Sequence, residues 1–295
     1  MNRPEAILSD ADGTLVDTLH LIRHGQYETS KLYIEQLGLA DRECPNYDTY
    51  EQLLNQTVGT SARDTLEKTL RLLYHNQPHH LKGMDFDALH DLLNPTQDKI
   101  APEFVKAYDG LSDFLSQLGN AGIKLAIFTS GTPHHIVRNF GVALPEIGLA
   151  DLYTDTSTSD VDKLSLFVAT VKQYYGISEF TVVTCDDTTT HKPDPESLKL
   201  AMNRLGVTPA HSLVLGDHKV DMQSGINAGV VQRIGVTHGF NDRPTLEAAG
   251  ASRVIDSLAE LTLSLVQSSN ISKATARQEC CRSAHKVTRC TAGEK

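Results

Sequence analysis

The fold is decided by the stretch Ala6-Ile7-Leu8-Ser9-Asp10-Ala11-Asp12-Gly13-Thr14-Leu15-Val16-Asp17. It begins with a short apolar run without polar alternation, which is typical of a strand buried on both faces of a parallel sheet. Two carboxylates, those of Asp10 and Asp12, follow this strand and enter a turn at Gly13. Open parallel sheets bind ligands at the carboxyl ends of their strands, so this strand end is a candidate functional site.

Two other interpretations of Asp10 and Asp12 have to be considered from the residues alone. An EF-hand loop is excluded, because placing Gly13 at the required glycine puts Leu8 at the first ligand position and Leu19 at the bidentate glutamate. A plain Asp-Gly turn with solvated carboxylates stays open on this stretch by itself. The other strand ends must decide between such a turn and a site.

Further apolar runs are also typical of buried parallel strands, and helical patterns separate them. These runs are residues 124–128, 180–183, 212–215 and 230–236. The last run follows Ala228-Gly229, where a helix can end. A parallel sheet covered by helices follows from this order, so the sequence predicts an α/β fold with a Rossmann-like core.

The spacing of the runs also predicts the domain organisation. About 115 residues separate the first two strands, with helical patterns and no convincing strand, which is too much chain for one crossover. We therefore expect an inserted α-helical cap domain at residues 19–101, a core formed by residues 1–18 and 102–267, and a disordered tail at residues 268–295. The connection 151–179 contains one helical pattern and could form a second flap.

Composition narrows the possible partners. The chain has 295 residues, is 40% hydrophobic and has a formal net charge of −10. Residues 268–295 carry six Lys or Arg against two Glu, which leaves about −14 on residues 1–267 and argues against a nucleic-acid partner. No spanning segment or secretory signal is recognisable, and the five cysteines show neither a disulfide framework nor a zinc spacing. We therefore expect a cytoplasmic protein without a membrane partner.

Two other strand ends carry hydroxyl groups and a lysine. The residues Thr129-Ser130-Gly131 precede a predicted helix that is capped by Thr132 and begins at Pro133. Hydroxyls and free backbone amides at a helix N-terminus suit a phosphate group. Lys192 lies just before another helix, with Asp194 as its expected N-cap, and can either project into the pocket or remain a solvated surface lysine.

The last strand end adds two carboxylates. Asp217 ends the strand and Asp221 follows one helical turn later. Together with Asp10 and Asp12 they would place four carboxylates in one pocket, and such a cluster repels itself unless a cation neutralises it. An all-oxygen site with few carboxylates favours Mg2+ over zinc or iron. We therefore expect a Mg2+ site with these four aspartates as candidate ligands.

These motifs together resemble the haloacid dehalogenase superfamily, over nearly all of residues 5–262. The stretch from Asp10 to Thr14 matches its first motif, Thr129 its second and Lys192 its third, and its fourth motif is matched by Asp217 with Asp221. The long helical insertion resembles the cap of the phosphoglycolate phosphatase-like branch. The resemblance therefore implies a cap of the C1 type.

The resemblance implies a Mg2+-dependent phosphatase that acts on a small phosphorylated metabolite. Asp10 would attack phosphorus to form an aspartyl phosphate, while Asp12 would protonate the leaving oxygen and later deprotonate the hydrolytic water. The phosphate-binding residues that it implies are Thr129, Ser130, Gly131 and Lys192. The metal ligands that it implies are the Asp10 carboxylate, the Asp12 backbone carbonyl and Asp217, with Asp221 direct or through water.

Several alternatives stay open beside this interpretation. Arg63 lies in a segment that resembles the substrate-specificity segment of the family, and it could meet a substrate anion or remain solvated. His191 and His218 replace smaller or hydroxyl residues of the relatives and could border the site or lie at the surface. The rival functions are a β-phosphoglucomutase-like sugar-phosphate mutase and a non-catalytic module that binds a phosphometabolite. Pure binding would not require an acid placed for proton transfer, as Asp12 is.

Overall fold

The computed structural model describes residues 3–36, 45–57 and 62–261. Within these ranges the strands are β1 (Ala6–Ser9), β2 (Val16–Asp17), β3 (Lys106–Ala107), β4 (Lys124–Phe128), β5 (Phe180–Val183), β6 (Ser212–Gly216), β7 (Gln232–Val236) and β8 (Arg253–Ile255). Six of them form one parallel sheet in the order β5-β4-β1-β6-β7-β8. The predicted α/β class with a parallel sheet is thereby confirmed.

At least one helix lies between each two strands of this sheet that follow one another along the chain. The described helices are α1 (Leu19–Gln36), α2 (Tyr47–Leu54), α3 (Ala62–Leu73), α4 (Phe86–Asp91), α5 (Leu93–Phe104), α6 (Leu111–Ala121), α7 (Pro133–Ala143), α8 (Asp160–Tyr175), α9 (Glu196–Leu205), α10 (Lys219–Asn227) and α11 (Arg243–Ala248). None of these helices combines the length and the apolar character that crossing a membrane requires.

Helices cover both faces of the sheet, and this explains the absence of polar alternation in its strands. Ile7 belongs to the apolar cluster that contains Phe140 of α7, whereas its neighbours Ala6 and Leu8 belong to the cluster that contains Met222 of α10. Successive side chains of a strand point to opposite faces, so a strand covered on both faces needs apolar residues throughout.

The chain between β2 and β3 forms the helices α1 to α5, and β2 pairs with β3 in antiparallel fashion at their base. These helices have an apolar cluster of their own, which contains Tyr33, Ile34, Leu66, Leu70, Tyr74 and Leu89. At the two ends of the segment, Leu21 and Ala101 join the cluster of the sheet instead. The helical insertion is therefore packed both on itself and on the sheet.

One helix of the insertion contains a proline. Pro102 lies inside α5, next to the predicted boundary between residues 101 and 102. A proline lacks the N–H group that would bond to the carbonyl four residues earlier. The hydroxyl of Tyr153 donates to that carbonyl of Asp98 at 3.4 Å, so its hydrogen bond is replaced and the helix continues.

The connection between β4 and β5 does not form the second flap that was considered for residues 151–179. Residues 160–175 form α8, whose Phe167 and Val171 are fully buried in the apolar cluster of the sheet. This segment therefore contributes a covering helix of the core and is not a second flap. The predicted tail at residues 268–295 lies outside the described residues.

Two predicted helix starts have different outcomes. Thr132 caps α7 and Pro133 is its first residue, as expected. At α9, by contrast, Pro195 occupies the cap position, and Asp194 accepts a hydrogen bond from the backbone N–H of Glu196 at 2.9 Å. The carboxylate of Asp194 thus still satisfies a free N–H at the helix start, but from one position earlier than expected.

Candidate active site

Three neighbouring strands end in residues that the sequence singled out. β1 leads into Asp10, β4 into Thr129 and β6 into Asp217. The backbone N–H of Asp10 donates to the carbonyl of Leu215 at 2.8 Å, and that of Thr129 donates to the carbonyl of Val183 at 2.9 Å. These bonds extend the sheet ladder, so the side chains are held at a rigid edge of the sheet.

The turn after β1 places Thr14 between two carboxylates. Gly13 has a φ of +82°, and a Cβ atom on it would lie 2.4 Å from Asp217 Oδ2. Glycine is required there, because any side chain would be strained and would collide with the carboxylate. The hydroxyl of Thr14 donates to Asp217 Oδ1 at 2.7 Å and lies 3.2 Å from Asp10 Oδ2.

Asp10, Asp217 and Asp221 form a buried carboxylate cluster. One oxygen from each of the three lies within 4.8 Å of the others. The backbone N–H of Phe240 donates to Asp217 Oδ2 at 2.7 Å, and that of His218 donates to Asp221 Oδ2 at 3.0 Å. Several carboxylate oxygens at this spacing are the donor set that a hard divalent cation such as Mg2+ prefers.

Lys192 inserts its ammonium group into this cluster. Its Nζ atom donates to Asp10 Oδ1 and, at 2.9 Å, to Asp221 Oδ1. The same atom lies 4.1 Å from the centre of the Phe128 ring, which adds a cation–π contact. The preceding loop is fixed by Glu196, which accepts a hydrogen bond from the backbone N–H of Thr190 at 2.8 Å.

Burial and mutual repulsion change the pKa values in the cluster. Burial raises the pKa of Asp10 to about 6, although Lys192 opposes the rise. Burial also raises the pKa of Asp217 well above its usual value, and the charges of Asp10 and Asp221 add to the effect. For Lys192, burial lowers the pKa but the two carboxylates outweigh it, so its pKa is raised. The carboxylates together exceed what one ammonium can neutralise, which again fits a divalent cation.

Asp12 lies beside the cluster and has separate partners. Its Oδ1 accepts a hydrogen bond from Asn139 Nδ2 at 2.8 Å, and Asn139 Oδ1 accepts one from Arg138 Nε at 3.0 Å. The Arg138 guanidinium is fully buried and donates to Asp98 Oδ1 at 3.1 Å. Burial raises the pKa of Asp12, and the charge of Asp10 adds to the rise.

This network fixes the orientation of the Asn139 amide. Arg138 can only donate hydrogen bonds, so it holds the oxygen end of the amide and turns the NH2 end towards Asp12. Asp12 Oδ1 must then accept, and a proton on the Asp12 carboxyl group belongs on Oδ2.

The loop after β4 presents hydrogen-bond donors at the start of α7. The backbone N–H of Gly131 donates to Thr129 Oγ1 at 2.9 Å, which leaves the hydroxyl hydrogen of Thr129 to donate to another group. His135, in the first turn of α7, has its Nε2 atom 2.8 Å from Asn94 Oδ1. Burial lowers the pKa of His135 well below its usual value, so this imidazole is neutral and donates from Nε2.

These residues line a pocket between the sheet edge and the helical insertion. Its lining includes every strand-end candidate: Asp10, Asp12, Thr129, Ser130, Gly131, Lys192, Asp217 and Asp221. The insertion contributes five lining residues, Ile22, Gln26, Ala62, Thr65 and Gln97, which we call the distal end of the pocket. The structure therefore brings the strand-end residues that the sequence predicted together in one pocket.

Three further candidates have different positions. Arg63 pairs with Asp87 at the surface and is not among the lining residues, an arrangement in keeping with the solvated alternative that the sequence left open. His191 is exposed, whereas His218 lines the pocket, and burial lowers the pKa of His218 to about 4. Residues 58–61 of the expected specificity segment lie outside the described residues.

The pocket lining also includes polar residues that the sequence did not single out, among them Gln26, Gln97, Arg138 and Asn139. They lie within the helices α1, α5 and α7 and follow no strand end. In the sequence each is indistinguishable from a polar residue on a solvated helix surface. The position of Arg138 and Asn139 in the helix capped by Thr132 was the one available signal, and it was too weak to identify them.

Comparison with known proteins places this site in a family. The model of the haloacid dehalogenase-like hydrolases matches residues 4–229. The chain is 26% identical over 259 residues to pyrophosphatase PpaX of Bacillus velezensis, covering 88% of this chain and 95% of that protein. It is 29% identical over 259 residues to a phosphoglycolate phosphatase of Agrobacterium fabrum, covering 88% and 91%. The structure of CbbY from Rhodobacter sphaeroides in complex with phosphate matches the fold, with a TM-score of 0.58, 23% identity and coverage of 88% and 96%.

Because the family model spans more than half of the sequence, the chain belongs to the haloacid dehalogenase-like hydrolases. Its family is one of hydrolases, so the chain belongs to a family of enzymes. The resemblance inferred from Asp10, Thr129, Lys192 and Asp217 is thereby confirmed.

Proposed function

We propose that this enzyme is a Mg2+-dependent phosphatase that hydrolyses a small phosphorylated metabolite through an aspartyl phosphate on Asp10. The observation that carries the proposal is the buried cluster of Asp10, Asp217 and Asp221 around the ammonium of Lys192. Two similar proteins are named for pyrophosphate and phosphoglycolate, which are small phosphorylated compounds.

Asp10 is the nucleophile in this proposal. One of its carboxylate oxygens forms a bond to phosphorus while the bond from phosphorus to the leaving oxygen breaks. Lys192 and the hydroxyl of Thr129 hold the non-bridging oxygens, together with the backbone N–H of Ser130. The N–H of Gly131 stays bonded to Thr129 Oγ1 and orients that hydroxyl towards the phosphate. Lys192 contacts Asp10 directly, so the same ammonium orients the nucleophile and attracts the phosphate.

Asp12 is the general acid and then the general base. It transfers its proton from Oδ2 to the leaving oxygen, and in the second step it takes a proton from the water that hydrolyses the aspartyl phosphate. The raised pKa of Asp12 supports the first role, because it keeps the carboxyl group protonated to higher pH. Asn139 supports both roles by occupying Oδ1 and leaving Oδ2 for the exchange.

Mg2+ would be held by the carboxylates of Asp10, Asp217 and Asp221, together with the backbone carbonyl of Asp12. Bound Mg2+ supplies positive charge that offsets the negative charge of the transferring phosphoryl group. Thr14 and the backbone N–H of Phe240 orient Asp217 towards this position through hydrogen bonds of 2.7 Å each.

The helical insertion is the cap of this active site, with residues 19–101 as the cap domain and residues 1–18 and 102–267 as the core. Its helices α1, α3 and α5 line the pocket opposite the strand ends. A cap in this position excludes bulk water and contacts the part of the substrate that leaves with the oxygen.

The direct test measures phosphate release from p-nitrophenyl phosphate with Mg2+ and with a chelator. Replacing the nucleophile in Asp10→Asn is expected to lower kcat by roughly 10⁴-fold or more. The matched control is Asp91→Asn, which changes an exposed carboxylate on α4 and should retain the wild-type rate. Equal rates for wild type and Asp10→Asn, or activity unaffected by the chelator, would contradict the proposal.

A panel of pyrophosphate, phosphoglycolate and sugar phosphates then defines the substrate. Transfer of labelled phosphate to a sugar acceptor instead of water would identify the mutase alternative. Binding of several phosphorylated compounds without turnover of any would identify a non-catalytic module.

A further inference from the structure

His218 occupies a helix position at which histidine is unusual. It is the N-cap residue of α10, and its Nδ1 atom accepts a hydrogen bond from the backbone N–H of Val220 at 3.3 Å. The residues that usually cap a helix are Ser, Thr, Asp and Asn, which supply one acceptor from a short side chain. The imidazole of His218 supplies the same acceptor and extends beyond it, so capping by itself does not explain a histidine here.

The cap hydrogen bond fixes which nitrogen of the imidazole carries the hydrogen. A backbone N–H can only donate, so Nδ1 is unprotonated and the neutral ring carries its hydrogen on Nε2. This Nε2–H has no acceptor in the described part of the chain, and it does not belong to the fully buried polar atoms there. Because His218 lines the pocket, its Nε2–H is available to a bound molecule.

The position of the His218 ring is restricted from more than one side. The backbone N–H of His218 donates to Asp221 Oδ2 at 3.0 Å, which ties the residue to the carboxylate cluster. The ring of Phe240, which also lines the pocket, meets the imidazole edge to face with 6.3 Å between the ring centres. A donor that is already held in place loses little conformational freedom when it binds a ligand.

The His218 imidazole lies near the groups that would surround a phosphoryl group. Burial lowers the pKa of His218, the Lys192 ammonium lowers it further and the Asp10 carboxylate opposes the change, so both groups are within electrostatic range of the ring. In the proposed mechanism the phosphoryl group lies against Asp10 and Lys192. Its non-bridging oxygens are strong acceptors, and they can accept more hydrogen bonds than Lys192, Thr129 and Ser130 supply.

We propose that the Nε2–H of His218 donates a hydrogen bond to a non-bridging oxygen of the transferring phosphoryl group, which makes His218 a catalytic residue. This inference rests on the proposed phosphatase function. A neutral donor that is held in place stabilises negative charge on these oxygens and adds no further positive charge beside Lys192. The two nitrogens of His218 thus have separate tasks: Nδ1 caps α10 and Nε2 binds the phosphoryl group.

Two variants separate the tasks of the two nitrogens. His218→Asn keeps an acceptor near the position of Nδ1 and removes the donor, whereas His218→Gln places an amide N–H near the position of Nε2 and gives up the preferred cap. With p-nitrophenyl phosphate and Mg2+, His218→Asn should lower kcat/KM by about 10- to 100-fold, and His218→Gln should stay within about fivefold of the wild type. The matched control is His211→Asn, which changes an exposed histidine before the opposite end of β6 and should retain the wild-type rate.

Thermal unfolding distinguishes this role from a purely structural one. His218→Asn should keep the wild-type Tm within about 2 °C, and His218→Gln should lower it by about 2–4 °C because α10 loses its preferred cap. The more active of the two variants is therefore expected to be the less stable one. If His218→Gln were impaired as much as His218→Asn or more, His218 would act only as a cap and the inference would be overturned.

Two esters with different leaving groups locate the hydrogen bond. The loss of kcat/KM in His218→Asn should agree within about threefold for p-nitrophenyl phosphate and glycerol 1-phosphate, because the two compounds share only the phosphoryl group. A loss confined to one of the esters would place the hydrogen bond on the leaving group and would contradict the inference.

A binding measurement separates this inference from the proposed function. Calorimetry in the presence of Mg2+ compares the Kd values of inorganic phosphate, which requires no turnover. Binding that is about tenfold weaker in His218→Asn and is recovered in His218→Gln supports the inference, even if the wild-type enzyme hydrolyses neither ester. Equal Kd and equal kcat/KM values for the wild type and His218→Asn would overturn it, as would a wild type that neither binds phosphate nor hydrolyses an ester.

Discussion

At the strand ends of the pocket, Asp10, Asp217 and Asp221 surround the ammonium of Lys192, whereas the distal end is lined by Gln26, Gln97 and apolar or hydroxyl side chains. Both ends are buried, but the first is dense in charge and the second has none. Charge interactions in a buried site change steeply with distance, so the charged groups lie on adjacent strands of a rigid sheet. The neutral groups lie on helices of the insertion. The proposed chemistry thus lies on the sheet, whereas helices of the insertion line the other end of the pocket.

The largest effect is expected from removing a charge at the strand ends. Asp217→Asn should lower kcat/KM by roughly 10³-fold, because it removes the negative charge of a candidate metal ligand. It should also abolish the rise in Tm that Mg2+ produces in the wild type. Phosphate release and thermal unfolding over a Mg2+ titration measure both effects. Asp91→Asn serves as the control, and an unchanged Mg2+ dependence in Asp217→Asn would remove Asp217 from the metal site.

An intermediate effect is expected beside the charged cluster. Asn139→Ala should lower kcat by about 10- to 100-fold, because Asp12 loses the donor that orients it. That donor stabilises the ionised form, so its loss raises the pKa of Asp12 further. Protonation of the leaving group requires protonated Asp12, and the alkaline limb of the kcat/KM profile should therefore move to higher pH.

The pH profile of Asn139→Ala needs a control that changes an asparagine elsewhere. Asn203→Ala on α9 alters an exposed side chain and should retain the wild-type profile. If the rate of Asn139→Ala falls while the alkaline limb stays in place, Asn139 acts on the structure of α7 and not on the proton of Asp12.

A smaller effect is expected on stability without metal. The pKa of Asp10 is raised from 3.8 to about 6 in the folded protein, so the folded state holds this proton more tightly than the unfolded state. The resulting contribution to stability is complete below the unfolded pKa and is lost as the pH rises through about 6. In a chelator, Asp10→Asn should therefore exceed the wild type in Tm by a margin that grows over this interval. Calorimetry from acidic to neutral pH measures the margin, and a margin independent of pH would argue against the shift.

The smallest effect is expected from a cation outside the pocket. Arg63→Ala should change kcat/KM by less than about twofold, because an exposed ion pair such as Arg63–Asp87 contributes little to stability or binding. Steady-state kinetics with p-nitrophenyl phosphate and with glucose 6-phosphate measure the change. A large rise in KM for either compound would mean that Arg63 leaves Asp87 and reaches the substrate, and the distal end would then not be neutral in the working enzyme.

The strands and the residues at their ends were predictable because their signals are local. The apolar runs before Asp10, Thr129 and Asp217 predicted β1, β4 and β6, and parallel pairing alone brings their carboxyl ends to one edge. Shorter elements gave no signal: β2 and β3 have two residues each and β8 has three. A pattern needs several repeats before it can be distinguished from chance.

The sequence by itself determined the class of the fold, the family and the group of acids, hydroxyls and lysine at the strand ends, since each of these depends on residue type and position along one strand. Only the tertiary structure decided which helical side chains reach the pocket. Gln26, Gln97 and Asn139 enter it while Arg63 pairs with Asp87 at the surface, because the packing of helices far apart in the sequence sets the direction of each side chain. The amphipathic pattern of a single helix does not contain that information.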